Sequence, residues 1–317
     1  MSRFVPIYGP AAVGTNQFLD VVIALLAVAA VAGLITAAVV ARWPNHDPTA
    51  PRLQPDSPVL QQSEATIGRR ARLRALWRTR MDPGVATGLA LTLAVTALVV
   101  FAAVVGILLL MVRTKTGVAR YDLTFAEWGA THATAGSTAV LRRLSLLGGT
   151  AGVFTIAVIV GVLEYRRLPK RALPALLALT VAGQFAVVNL IKLIVERARP
   201  DIKQLTGFAS SSFPSGHSAS AAATFAVVAL LVGRRRSRRA RAAIAGTAVG
   251  IATMVAGTRV LLGVHWLTDV LAGLATGWAW FALCSLAFGG RLLDFGAPEA
   301  AAAVAVPKRD RSRFRPL

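Results

Sequence analysis

Three short stretches hold the residues that could do chemistry. In KLIVERARP, Lys192 and Arg199 stand seven residues apart, which on a helix is two turns along one face. Two cations so placed suit a phosphate, the guanidinium as a planar fork and the ammonium as a point charge. The same pair would equally mark a helix end by snorkelling to a membrane surface. Pro200 stops the helix. In SSSFPSGHSAS, Ser215 and Gly216 sit where an apolar run begins, so their backbone N–H groups are free to hold an anion at a helix mouth. His217 follows, able to pass a proton to a departing oxygen. An ordinary serine cap is the alternative there. In TRVLLGVHWLTD, Arg259 precedes His265 by six residues and Asp269 follows it by four. In a helix beginning near His265 that spacing puts the carboxylate under the imidazole. A carboxylate on one ring nitrogen fixes the tautomer and leaves the other nitrogen as a nucleophile or base.

The elements that carry these residues are apolar. Of 317 residues, 55% are hydrophobic and only 15% charged, a balance that implies a multi-span membrane protein. Stretches 18–41, 85–112, 149–163, 173–194, 217–233, 242–258 and 266–288 approach the roughly 20 residues a bilayer crossing needs. Lipid gives the backbone no partner, so each is expected to be a helix. The first run is too long for a cleaved signal peptide. A single cysteine, Cys284, excludes an intramolecular disulfide and a cysteine metal site.

Net charge is +21, but the basic residues lie between apolar runs without interleaved aromatics. They suit anionic lipid headgroups on the cytoplasmic side, not nucleic acid. If the stretch RRRSRRAR faces the cytoplasm, segments 42–84, 164–172, 234–241 and the tail share that side. They hold eight, four, six and six Lys and Arg, 24 of the 35. The positive-inside rule then places all three chemical stretches at the extracytoplasmic face. Residues 42–84 read as a linker with a basic helix on the leaflet, and the tail from 291 as basic and without fixed structure. Of four histidines, two fall in the chemical stretches. His46 and His132 read as solvent-exposed.

In this order, K-x6-R-P, then P-S-G-H, then R-x5-H-x3-D resemble the type 2 phosphatidic acid phosphatase superfamily. The motifs occupy Lys192 to Asp269. Residues 121–149 resemble the membrane-lying stretch that follows the family's first core helix. The resemblance implies an all-α transmembrane bundle: a six-helix core over 85–290, preceded by one extra helix within 1–84 and followed by the tail, 291–317. It implies that His265 attacks phosphorus while Asp269 orients it, and that His217 protonates the leaving oxygen. Lys192, Arg199, Arg259, Ser215 and Gly216 would bind the phosphoryl oxygens. Thr258 stands where the family usually has serine, which keeps a hydroxyl.

The expected protein is a multi-pass plasma-membrane phosphatase acting on a polyprenyl phosphate or diphosphate, phosphatidic acid or phosphatidylglycerol phosphate. Three cations and helix-mouth amides can stabilise the transferring group alone. No carboxylate cluster of the kind that holds Mg²⁺ is evident, so no metal and no cofactor are expected. The alternatives are a phosphotransferase using the same histidine, or a transporter or scaffold that keeps the fold. Oligomeric state leaves no mark in the sequence.

Overall fold

The computed structural model describes residues 15–42, 86–167, 172–202, 204–207, 210–234 and 236–292. The Arg-rich stretch of the linker and the tail beyond 292 lie outside them. The chain divides into two compact units, 1–43 with 95–285 and 44–94 with 286–317. All the functional residues discussed below belong to the first.

Among the described residues every regular element is a helix. Its α-helices are α1 (Thr15–Arg42), α2 (Ala86–Thr114), α3 (Asp122–Thr131), α4 (Ala135–Ser145), α5 (Thr150–Arg167), α6 (Ala172–Val195), α7 (Gly216–Gly233), α8 (Arg238–Leu261) and α9 (Leu267–Leu292). The seven apolar runs correspond to α1, α2 and α5 to α9. Five helices are long and apolar enough to cross a membrane, and two bent pairs bring the total to as many as seven. One pair joins the end of α2 to α3 and the other joins α4 to α5, each bent by 51°. The protein is a multi-pass membrane bundle, with six long helices forming the core and α1 added to them. Where the sequence suggested a loop over 234–241, α8 begins inside it, with Ser237 capping Ala240 N–H. Serine at an N-cap satisfies an orphan donor and so starts the helix early.

Outward faces are lipid-like: Val99, Leu110, Val158, Leu193 and Ile194 are all exposed. The interior is built from small residues. Ala221, Ala222, Ala248, Ala252 and Ala256 form one cluster with Val255, Val260, Val270 and Leu274 from α7, α8 and α9. Small side chains let helices approach closely where no hydrophobic effect drives them together.

Helix α1 follows that rule most closely. A Cβ at Gly33 would lie 2.7 Å from the Gly246 carbonyl oxygen of α8, and one at Gly246 would lie 2.5 Å from the Gly33 oxygen. The two backbones therefore touch. One end of α1 continues onto the site, because Val21 and Leu25 pack in a cluster with Leu261, Leu262, Val264 and Leu141.

The ends of the bundle differ in chemistry. At one end Glu164 of α5, buried, accepts from Arg234 at 2.9 Å and Arg167 at 3.0 Å. At the other end meet the last turns of α6 and α8, the first turns of α7 and α9, and the helices α3 and α4.

Candidate active site

Helix α6 ends earlier than its sequence suggests. Its last backbone bond runs from Glu196 N–H to the Lys192 carbonyl at 3.1 Å. Glu196 then takes a positive φ of 46°, a conformation L-residues avoid and one that breaks the helix. Arg199 therefore does not share a helix face with Lys192. The two meet across the loop instead: Lys192 Nζ donates to Ser210 Oγ at 2.7 Å, and Arg199 Nε donates to the Ser210 carbonyl at 2.8 Å.

His265 also differs from expectation, since it lies just before α9 and not on it. The Gly263 turn, with φ 70°, delivers it. Its pairing with Asp269 survives because the carboxylate reaches back over the helix start. Asp269 Oδ2 is 3.5 Å from His265 Nδ1 and accepts the Trp266 N–H at 3.0 Å. Ser212 Oγ donates to the same oxygen. His265 is 2% exposed and Asp269 fully buried.

The opposite ring nitrogen meets a cation. Arg199 Nη1 is 3.2 Å from His265 Nε2 and 2.6 Å from the Val264 carbonyl. A guanidinium can only donate, so Nε2 must carry the lone pair and Nδ1 the proton that faces Asp269. Burial, opposed in part by Asp269, lowers the His265 pKa to about 4. The imidazole is thus neutral, with an unprotonated Nε2, at neutral pH. Burial likewise lowers the Arg199 pKa from its ordinary value, with Asp269 opposing it.

The remaining expected residues surround this pair. Arg259, 6% exposed, donates from Nη1 to Ser145 Oγ at 2.9 Å, while its buried Nε has no partner. A buried charged donor left unmet is costly, and an anion in the site would meet it. His217 stands in the first turn of α7 and faces the charges of Arg259, Lys192 and Arg199 and the ring of His265. A Cβ at Gly149 would lie 3.6 Å from its Nε2, so α5 starts against the imidazole.

Ser215 does not have a free N–H, as its sequence position implied; it donates to the Asp269 carbonyl at 2.9 Å. Its hydroxyl caps α7 by accepting from Ser218 N–H. Gly216 occupies the first helical position, where helix geometry gives its N–H no acceptor. Thr258 turns its hydroxyl back to the Val255 carbonyl at 2.6 Å. His132 is half-buried and stacks on Trp128, and His46 lies outside the described residues.

Four residues at the site escaped the sequence analysis: Asp122, Ser145, Arg197 and Ser212. Asp122 and Arg197 are charges beside apolar helices, which should have marked them. The two serines carry no such signal. A cavity of about 390 Å³ opens at the loop after α6, lined by Arg197, Arg199, Pro200, Gln204, Ser210 and Ser211 among others. Among the described residues no group of three or more His, Cys, Asp or Glu could hold a metal ion.

A family model described as the PAP2 superfamily matches residues 172–292, the stretch that supplies every one of the expected site residues. Phosphatidylglycerophosphatase B of Bacillus subtilis (strain 168) is 34% identical over 144 residues, covering 44% of this chain and 68% of its own length. The chain belongs to the PAP2 superfamily. It is a membrane phosphatase. A lipid A 1-phosphatase of Rhizobium johnstonii is 39% identical over 119 residues, 34% of this chain; this PAP2 protein spans 45% of its length. The crystal structure of the first transmembrane PAP2-type phosphatidylglycerolphosphate phosphatase, from Bacillus subtilis, superposes with a TM-score of 0.54 at 27% identity. The match takes in 63% of this chain and 96% of that one.

Proposed function

We propose that this PAP2 enzyme hydrolyses a lipid-linked phosphate monoester or diphosphate through a phosphohistidine on His265, without metal. The observation that carries it is the arrangement of the imidazole: Asp269 behind Nδ1, and a phosphate-binding type of cation at Nε2. In the first step Nε2 forms a bond to phosphorus and the bond to the leaving oxygen breaks. His217 gives that oxygen its proton, and Asp269 balances the charge left on the ring. Lys192, Arg199 and Arg259 hold the phosphoryl oxygens, helped by the Gly216 N–H and the Ser215 cap. Water then attacks, His217 takes its proton, and the P–N bond breaks to free His265 and phosphate.

The relatives' names support phosphatidylglycerol phosphate and a phosphorylated lipid A as substrates, beside the phosphatidic acid and polyprenyl phosphates or diphosphates expected from the sequence. The test is phosphate release from these lipids by the protein in detergent, in excess EDTA. Turnover of at least one should persist under chelation and be blocked by vanadate, which mimics pentacoordinate phosphorus. Loss on chelation, with recovery in Mg²⁺, would show that side chains alone do not suffice. Transfer to an added alcohol with no release to water would identify a phosphotransferase instead.

The site is read as facing away from the cytoplasm, at the plasma membrane. Support comes from the sequence count, which gives 24 of the 35 Lys and Arg to the segments assigned to the side of the Arg234–Arg241 stretch. In a Cys284→Ala background, Asp201→Cys and Ser237→Cys both lie at exposed positions. The first should label with an impermeant thiol reagent in intact cells and the second only after lysis. A reversed pattern would put the chemistry in the cytoplasm.

A further inference from the structure

We propose that Arg197, clamped by Asp122 and Trp266, is a positioning residue that locks Asp269 into the orientation the nucleophile needs. The proposal rests on His265 being that nucleophile. Asp269 has two oxygens with separate duties. Oδ2 faces His265, Ser212 and the Trp266 N–H, whereas Oδ1 accepts from Arg197 Nη1 at 2.5 Å. A carboxylate free to rotate would swap the two. Engaging Oδ1 with a charged donor prevents this.

Arg197 is held in its turn from three directions. Nη1 also donates to Thr268 Oγ1 at 2.7 Å, and Nη2 donates to Asp122 Oδ2 at 2.7 Å. Asp122 is fixed to the same helix start, accepting the Thr268 N–H at 2.9 Å and the Thr268 hydroxyl at 2.7 Å. The guanidinium lies 5.3 Å from the centre of the Trp266 ring, whose Nε1 donates to the Ala198 carbonyl at 2.9 Å. Loop, α3 and α9 are thereby tied through one planar group. Both Nη atoms are committed to this network.

Charge balance points the same way. Asp122 and Asp269 are both buried and share Arg197 as counter-ion. Without it, two carboxylates would face each other through Thr268, and Asp269 would tend to take up a proton. A protonated Asp269 cannot offset the positive ring that forms when His265 attacks. Lysine would keep the charge but lose the fork that spans both carboxylates.

The test compares Arg197→Gln, Arg197→Lys and Asp122→Asn with His265→Ala, using the full chain in detergent on one lipid phosphate that the wild type turns over. Arg197→Gln should lower kcat about 100-fold, the scale of a small misplacement at a reacting centre, with KM little changed. Arg197→Lys should fall between, which keeps the test open if the glutamine variant folds poorly. Adding Asp122→Asn to Arg197→Gln should cost little more, since both act through one network.

His265 is faced by Arg199 from the loop, Arg259 from α8, His217 from α7 and Asp269 from α9. Removing the charge of Arg197 leaves Asp269 less shielded, so the acid limb of kcat/KM should move to higher pH. A merely structural role would scale the whole profile and leave that limb in place. Such scaling, or a kcat for Arg197→Gln near wild type, would overturn the clamp. Retained turnover in His265→Ala would instead overturn the nucleophile assignment beneath it.

Discussion

His265→Ala is expected to abolish turnover, by about 10⁶-fold on the scale seen when a covalent nucleophile is removed. Among the described residues no other histidine has a carboxylate at one ring nitrogen and a guanidinium at the other. The variant should remain folded, because the imidazole is held by one long contact to Asp269 and by Arg199. Wild-type enzyme quenched in denaturing detergent at alkaline pH should carry phosphate that is labile in acid and stable in alkali, as a P–N bond requires. Near wild-type phosphate release from the variant would sink the assignment.

Asp269→Asn should cost about 10⁴-fold, since an amide can hold the ring in the wrong tautomer. The pH profile adds a separate check. Burial lowers the His265 pKa to about 4, so the neutral, nucleophilic ring persists between pH 6.5 and 4 and is lost only below. In the same window the unfolded chain binds a proton that the folded one does not. This histidine therefore favours unfolding increasingly as the pH falls through that range.

His217→Ala should also give a large loss, about 10² to 10⁴-fold, and its size should depend on the leaving group. His217 touches the start of α5 at Gly149 and faces the phosphate-binding charges. A proton donor there is needed most when the departing oxygen is a poor leaving group, as in an alkyl or prenyl ester. The loss should shrink with an aryl phosphate, whose oxygen leaves as a stable anion. The measurement is kcat for both substrates with wild type and variant. An equal loss on both would remove His217 from the proton-transfer step.

The membrane spans were legible because lipid enforces a single rule on the backbone. Apolar runs of sufficient length become helices, and four of the seven expected stretches fall wholly within a long helix; the others, 85–112, 149–163 and 266–288, each open one residue before theirs. The chemical residues were legible by type, but part of the geometry was not. Lys192 and Arg199 were placed on one helical face, yet the helix ends at Val195 and a shared serine draws them together. Nothing local forecasts the left-handed Glu196. Asp122 and Arg197 are 75 residues apart in sequence, and only the tertiary fold pairs them. Ser145 and Ser212 became visible only as partners of Arg259 and Asp269.

The contact between α1 and α8 has a bearing on how a substrate arrives. In the proposed reaction a lipid phosphate brings its headgroup to His265 while its tail remains in the bilayer, so it would slide in from the side of the bundle. Between Gly33 and Gly246 there is no room even for a methyl group, and Val21 and Leu25 seal the same seam up to Leu261 and Val264. No hydrocarbon chain can pass there. The added helix therefore closes one flank of the bundle to a lipid tail.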